Sequence, residues 1–427
     1  MKIQSIKIDS LYDAYSYDIH DISELLVLTG YNGMGKTTIL NIIRSVAEVN
    51  LMFFYELDFK LIEISFDDNL FLSVTSKNKE KKEISESSDS DSKPEKEIFF
   101  CWKQKDKIVC SLSIDTENLY TAYLAVTNSE YVQNEDWTID IYNIMPDIVQ
   151  YISKKQNAGA FSMICSTVST FFVPAQRVKE IHRIESEYDY PFESSTMQEV
   201  YTIDTIVKSF KEKLKKSQID FLKKIQNSRD KLIDRLLDEN TKVLCETEYN
   251  NLREEVQNTI IELKEFGLNY EEVKNYDEKN AKILSVYLTV MKNNLAVYSD
   301  LLNELKLFSS ILKEKRFAHK KIQFSPDYGF KIYSDKGVNI KPAKLSSGEQ
   351  NTIILLYRII FEVNKGDILL IDEPEISMHV VWLKEFIKDL LNIIKDKGCQ
   401  VLIATHSPQI VRGAYKYCYD LELSYEK

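Results

Sequence analysis

The feature that most constrains this chain is the run Gly30-Tyr31-Asn32-Gly33-Met34-Gly35-Lys36-Thr37, which fits G-x-x-x-x-G-K-[ST]. Before it, Leu25-Leu26-Val27-Leu28 reads as a short buried strand, and after it Thr38-Ile39-Leu40-Asn41-Ile42-Ile43 carries apolar residues at helical spacing. A strand, a glycine-rich turn and a helix in that order curl backbone N–H groups around a phosphate at the helix N-terminus. That places the chain in the α/β class. Three further segments follow in order far downstream. They are Leu345-Ser346-Ser347-Gly348-Glu349-Gln350, the apolar run Ile368-Leu369-Leu370-Ile371 closing on Asp372-Glu373, and Ala404-Thr405-His406-Ser407.

Each segment has a chemical use. Lys36 is suited to the β and γ phosphates of a nucleotide and Thr37 to Mg²⁺, with Asn32, Gly33, Gly35 and Thr38 as further expected nucleotide contacts. Ile368 to Ile371 is too short and too continuously apolar for anything but a buried parallel strand. Its end sets Asp372 near the metal and Glu373 near an attacking water, where a carboxylate can take up a proton. Val401-Leu402-Ile403-Ala404 is a second such strand, reached through a helix expected over Val380 to Lys397 and stopped by Gly398. This β-α-β crossover brings His406 to the sheet edge that holds Asp372, in reach of a γ phosphate. The expected chemistry is hydrolysis of ATP with Mg²⁺.

These segments resemble the SMC/RecF-like branch of ABC-type ATPases, and within it the group that includes OLD-family proteins and the ATPases of anti-phage systems such as Septu and PARIS. Leu345 to Gln350 is similar to the L-S-S-G-E-Q signature of that group. Asp372-Glu373-Pro374-Glu375-Ile376-Ser377-Met378-His379 is similar to its D-E-P-E-x-x-L-H, with Met378 in the Leu position. The likeness covers residues 1–50 and 340–415. It implies that Ser346, Gly348 and Glu349 contact the ATP of a second copy, in a head-to-tail homodimer or a larger assembly up to a hexamer. It also suggests Gln176, after Phe171-Phe172-Val173, as a sensor of Mg²⁺ and water; a surface turn started by Pro174 is the other reading of that segment.

The likeness further implies a sensor that holds a separate nuclease effector until a phage-encoded trigger binds. OLD-family proteins continue past the switch histidine into a TOPRIM nuclease, and the short remainder here suggests that the effector is another polypeptide. The expected effector is TOPRIM-type, as with PARIS ATPases, before HNH-type, as with Septu. The alternative is a DNA-repair ATPase that clamps DNA. A formal net charge of -11 disfavours DNA, since duplex binding relies on Lys and Arg neutralising phosphates.

Composition sets the remaining expectations. No apolar run approaches the roughly eighteen residues of a membrane span, and Met1-Lys2-Ile3-Gln4-Ser5-Ile6 begins a strand, which points to the cytoplasm. The six cysteines form no C-x-x-C pair. Residues 1–199 and 317–427 are expected to form the two lobes of an ATPase head, with residues 200–316 as a helical insertion resembling a short coiled coil. Within the first lobe, residues 76–97 are nearly all Lys, Glu, Ser and Asp and predict a disordered hairpin insertion. In the helical segment, Ile203, Ile206, Val207, Phe210 and Leu214, then Phe221, Leu222, Ile225, Leu232, Ile233 and Leu236, recur at helical spacing. A third long helix is expected near Ala281 to Arg316.

Overall fold

The computed structural model describes residues 1–78, 96–127, 144–156, 158–184, 196–315, 319–378 and 380–425. The architecture is α/β, and the chain divides into two compact units, Met1–Ala175 with Val363–Lys427, and Gln176–Glu362.

The first unit carries two sheets. A five-stranded sheet has the order Cys418–Asp420, Leu25–Thr29, Gln400–Ala404, Ile368–Asp372 and Thr170–Val173. Every neighbouring pair in it is parallel. Its central strands Ile368–Asp372 and Gln400–Ala404 are buried along their whole length, which is why they read as continuous apolar runs. The second sheet is antiparallel and six-stranded, running from Tyr15–Ile19 through Ile3–Leu11, Leu61–Phe66, Leu70–Asn78 and Lys96–Gln104 to Lys107–Asp115. The helix Lys36–Ala47 shares a core with both, its Ile39, Leu40, Ile42 and Ile43 joining Leu28, Leu370 and Leu402 on one side and Ile6, Ile62 and Phe100 on the other.

One buried polar side chain ties the sheets together. Gln400, 1% exposed, accepts from the Ile3 N–H at 2.7 Å and donates to the Ile3 and Ser23 carbonyls at 2.7 and 2.8 Å. All three bonds satisfy groups that burial would otherwise strand. The helix Val380–Lys395 makes the expected crossover and ends slightly earlier than Lys397, with Gly398 at φ 62. His379 lies outside the described residues. A disordered hairpin insertion is expected over residues 76–97, but at its ends Ser76 to Asn78 pair in register with Lys96 to Ile98, because strand hydrogen bonding continues into the polar sequence. Residues 79–95 lie outside the described residues.

In the second unit, one helix of 36 residues spans Thr202–Leu237, followed by Glu246–Glu265, Ala281–Leu295 and Ser299–Lys315. The single helix expected over 281–316 is broken by a 3-10 turn at Ala296–Tyr298, where Tyr298 is buried against Phe221 and bonds Tyr270. Ile203, Ile206, Phe210, Leu214 and Phe221 are core residues, but Leu222 and Ile233 are 58% and 54% exposed. The apolar stripe therefore outlasts the surface that covers it.

The hairpin Lys320–Ser325 and Gly329–Ser334 turns through Asp327-Tyr328-Gly329. Gly329 is required there, since a Cβ would lie 2.3 Å from the Val207 carbonyl oxygen and φ is +78. Phe210 packs with Phe308, Phe324, Phe330, Tyr357 and Phe361. That cluster draws the hairpin and the helix Ser347–Tyr357 into one unit with the helices. The lobe expected over 317–427 is accordingly divided between the two units at 362/363.

Candidate active site

The carboxyl ends of three adjacent parallel strands converge in the first unit, with Asp372 opposite Ala404 and Ala404 opposite Leu28. Beyond Leu25–Thr29 the chain turns through Gly30, Gly33 and Gly35, all at positive φ, and enters the helix at Lys36. Gly35 is the N-cap at φ 83, and a Cβ on it would meet Leu11 Cδ2 at 2.7 Å. The loop is fastened from the antiparallel sheet by the Tyr17 hydroxyl, which donates to the Met34 carbonyl at 2.6 Å. Burial, then the neighbouring Tyr15, pushes the Tyr17 phenol well above its ordinary pKa, so it stays a donor.

Lys36 is 5% exposed and donates to the carbonyls of Gly30 at 2.9 Å and Tyr31 at 2.8 Å. Burial lowers its pKa, and the carboxylates of Glu373, Asp372 and Glu375 oppose that shift. Thr37 donates its hydroxyl to Asp372 Oδ1 at 2.9 Å. His406 Nε2 lies 3.7 Å from Glu373 Oε1, with the two side chains 33% and 32% exposed. Asn32, Gly33, Gly35, Lys36, Thr37, Thr38, Glu373 and His406 line one cleft of about 280 Å³. The structure thus brings together the residues singled out near both ends of the sequence.

This donor set fits a magnesium nucleotide. The helix Lys36–Ala47 has no side-chain cap and no acidic residue in its first turn, which leaves its N-terminal dipole to an anion. A Cβ on Gly33 would meet nothing within 4 Å, so the loop opens there onto the cleft. The Thr37 hydroxyl and Asp372 carboxylate, already in contact, are oxygen donors of the kind a hard divalent cation takes.

Two residues here had no role assigned from the sequence, although Glu375 lies within the matched D-E-P-E segment. Tyr12, at φ 55 in the turn between the first two strands, lines the cleft and bonds Thr38 Oγ1 through its hydroxyl at 2.6 Å. Glu375 accepts from the Thr405 hydroxyl and the His406 N–H, both at 2.7 Å. Only the two strands flanking Tyr12 hinted at a turn, and nothing local said where it would fold.

The remaining expected residues belong to the second unit. Gln176 is exposed at that unit's first position and is not among the cleft residues. Ser346 is an exposed N-cap for the helix Ser347–Tyr357, in a capping box. Glu349 Oε2 accepts from the Ser346 N–H at 3.1 Å and hydroxyl at 2.9 Å, while Oε1 pairs with Lys320 Nζ at 2.5 Å. The carboxylate of Glu349, expected at a nucleotide, is thus engaged in its own helix cap. Gly348 stands in the first turn of that helix and its carbonyl accepts from Thr352 Oγ1 at 2.8 Å.

The AAA ATPase domain family (AAA_15) matches residues 1–411. The chain belongs to that family. It carries a P-loop, and its signature, its Walker B segment from Ile368 to Glu373 and its switch histidine, His406, are similar to those of ABC/SMC-type ATPases. Among relatives of the ATPase, protein ea59 of Escherichia phage lambda is 29% identical over 120 residues, 27% of this chain and 22% of that protein. The uncharacterized ABC transporter ATP-binding protein MJ0035 of Methanocaldococcus jannaschii is 33% identical over 105 residues, 24% of this chain and 38% of that one. Lipoprotein-releasing system ATP-binding protein LolD 1 of Rhodospirillum rubrum is 31% identical over 72 residues, covering 17% and 30%. The ATPase therefore spans well under half the length of each of these relatives. Among solved structures, the Smc head domain with an extended coiled coil, bound to the C-terminal domain of ScpA and derived from Pyrococcus furiosus, aligns over 96% of this chain and 91% of that one, at 14% identity and a TM-score of 0.35. No described helix of the ATPase is long and apolar enough to cross a membrane.

Proposed function

We propose that this ATPase works as a head-to-tail homodimer or larger homo-oligomer whose ATP cycle holds and releases a separate nuclease in defence against phage. The observation that carries the chemistry is the convergence of Lys36, the Thr37–Asp372 pair and the Glu373–His406 pair at adjacent strand ends. In this reading the loop N–H groups and Lys36 bind the β and γ phosphates, and the Tyr12 ring offers a face to the base. Thr37 and Asp372 hold Mg²⁺, which when bound neutralises phosphate charge as a Lewis acid. Glu373 takes a proton from water as the water oxygen attacks the γ phosphorus. The bond from that phosphorus to the bridging oxygen breaks, its electron pair leaving with ADP, while His406 donates a hydrogen bond to a γ oxygen. Ser346 and the N-terminus of its helix meet the ATP of the second copy.

The defence role rests on the resemblance of the signature and Walker B segments, and the net charge of -11 supports a protein partner over DNA. The test is co-expression with the neighbouring gene under phage challenge, in wild type and Lys36→Ala. Protection that needs both the partner and an intact Lys36 is the expected result. Hydrolysis stimulated by DNA, with salt-sensitive DNA affinity and no effect of the partner, would replace this reading with a DNA clamp.

A further inference from the structure

The Walker B turn carries a second carboxylate to which the reaction assigns nothing. Glu375 stands just past Pro374, and its Oε1 accepts both the Thr405 hydroxyl and the His406 N–H at 2.7 Å. Thr405, 0% exposed, uses the same hydroxyl to accept from the Ser407 N–H at 2.9 Å, and its own N–H donates to the Leu28 carbonyl at 3.1 Å. One carboxylate oxygen thus ties the turn after Ile368–Asp372 to the loop after Gln400–Ala404. Thr405 extends the tie to the strand that feeds the phosphate loop.

Such a tie is needed because of Glu373. Its φ of 42 lies in the left-handed region, which a side chain disfavours, and it precedes a proline, which drives the preceding residue towards extended backbone. A conformation of this kind persists only where its surroundings over-determine it. The Glu373 N–H donates to the Ala404 carbonyl at 2.8 Å, and its carbonyl accepts from Ile376 at 3.2 Å. Those bonds fix the backbone of Glu373 but leave the loop bearing His406 to be fixed by Glu375.

We propose that Glu375 is a positioning residue, clamping the switch loop onto the Walker B turn so that Glu373 and His406 face each other across the cleft. It is not among the residues lining that cleft. The effect on turnover rests on the ATPase reading, whereas the clamp rests on geometry alone. The experiment therefore measures both in the full chain. Amide hydrogen exchange at His406 and Ser407 is followed without nucleotide, and ATP affinity and turnover are measured in parallel, for Glu375→Ala and Glu375→Gln. Loss of a charged acceptor for two donors predicts roughly a ten- to hundredfold fall in kcat for Glu375→Ala, with exchange rising by a similar factor and ATP affinity within about twofold. Glu375→Gln keeps the acceptor oxygen and should recover most of both. Thr405→Val removes one of the two donors to Glu375 together with the acceptor of the Ser407 N–H, so it is read at His406, where exchange should fall between the two, and it serves if Glu375→Ala does not fold. Unchanged exchange in Glu375→Ala and Thr405→Val, or equal turnover losses in Ala and Gln variants, overturns the clamp. A wild-type chain that turns over no ATP would refute the ATPase reading, with exchange still deciding the clamp.

Discussion

In the proposed reaction Glu373 is the proton acceptor, and it is held in a left-handed conformation with its Oε1 3.7 Å from His406 Nε2. Glu373→Gln removes the proton acceptor and keeps the shape, so ATP binding is expected to persist while hydrolysis falls by roughly 10²- to 10⁴-fold. Lys36→Ala removes the cation beside Gly30 and Tyr31 and should instead abolish measurable nucleotide binding. Calorimetric titration with phosphate release separates the two, and normal turnover in Glu373→Gln would strip that residue of its role. Lys36, Thr37, Asp372, Glu373 and His406 were legible in the sequence because each sits at a fixed offset from a strand end, and strand ends can be read from apolar runs. Tyr12 and Glu375 were not. The first depends on a hairpin turn folding over a distant loop, and the second on the parallel register that sets Asp372 opposite Ala404.

The signature helix shows at the level of an element what holds a motif in shape. Ser346 and Glu349 satisfy S-x-x-E, the spacing of a capping box, and the structure builds that box with Lys320 as a third member. Burial alone would raise the pKa of Glu349, but the Lys320 and Ser346 bonds outweigh it and hold the carboxyl below its ordinary value of 4.5. A depressed carboxylate stabilises the fold above its ordinary value and loses that contribution as pH falls through the lower folded one. Thermal unfolding should therefore show a steeper acid loss below about pH 4.5 in wild type than in Glu349→Gln, which also costs about 1 kcal/mol at neutral pH. Coincident acid profiles would argue against the cap as a source of stability. The long helix was readable from its period, whereas the break at Ala296–Tyr298 was not, because it answers to the Tyr270–Tyr298 contact and not to local propensity. Phe210 joins helix, hairpin and signature helix, so Phe210→Ala should lower stability by about 3–5 kcal/mol. Denaturant unfolding followed by tyrosine fluorescence checks it, and a loss below about 1 kcal/mol would mean the cluster is not a shared core.

For the whole molecule, the Walker residues and the signature belong to different compact units of one chain, a division that sequence boundaries at 199/200 and 316/317 did not anticipate. Segment composition marks where helices begin, but aromatic packing decides which side chains move together. The identified acids Asp372 and Glu373 are engaged with Thr37 and His406 in the ATP cleft. The purified chain is accordingly expected to release phosphate from ATP while leaving DNA and RNA uncut in Mg²⁺ or Mn²⁺, as read by gel assay. Metal-dependent cleavage retained in Lys36→Ala would contradict a separate effector. The most direct measurement of the account is ATP turnover on mixing two inactive variants, Lys36→Ala and Ser346→Arg, with subunit exchange verified by mass. A composite site predicts recovery of about a quarter of wild-type turnover, since random pairing leaves half the dimers with one intact site. Exchanged subunits that stay inactive together, or single variants that hydrolyse ATP as wild type does, would contradict it.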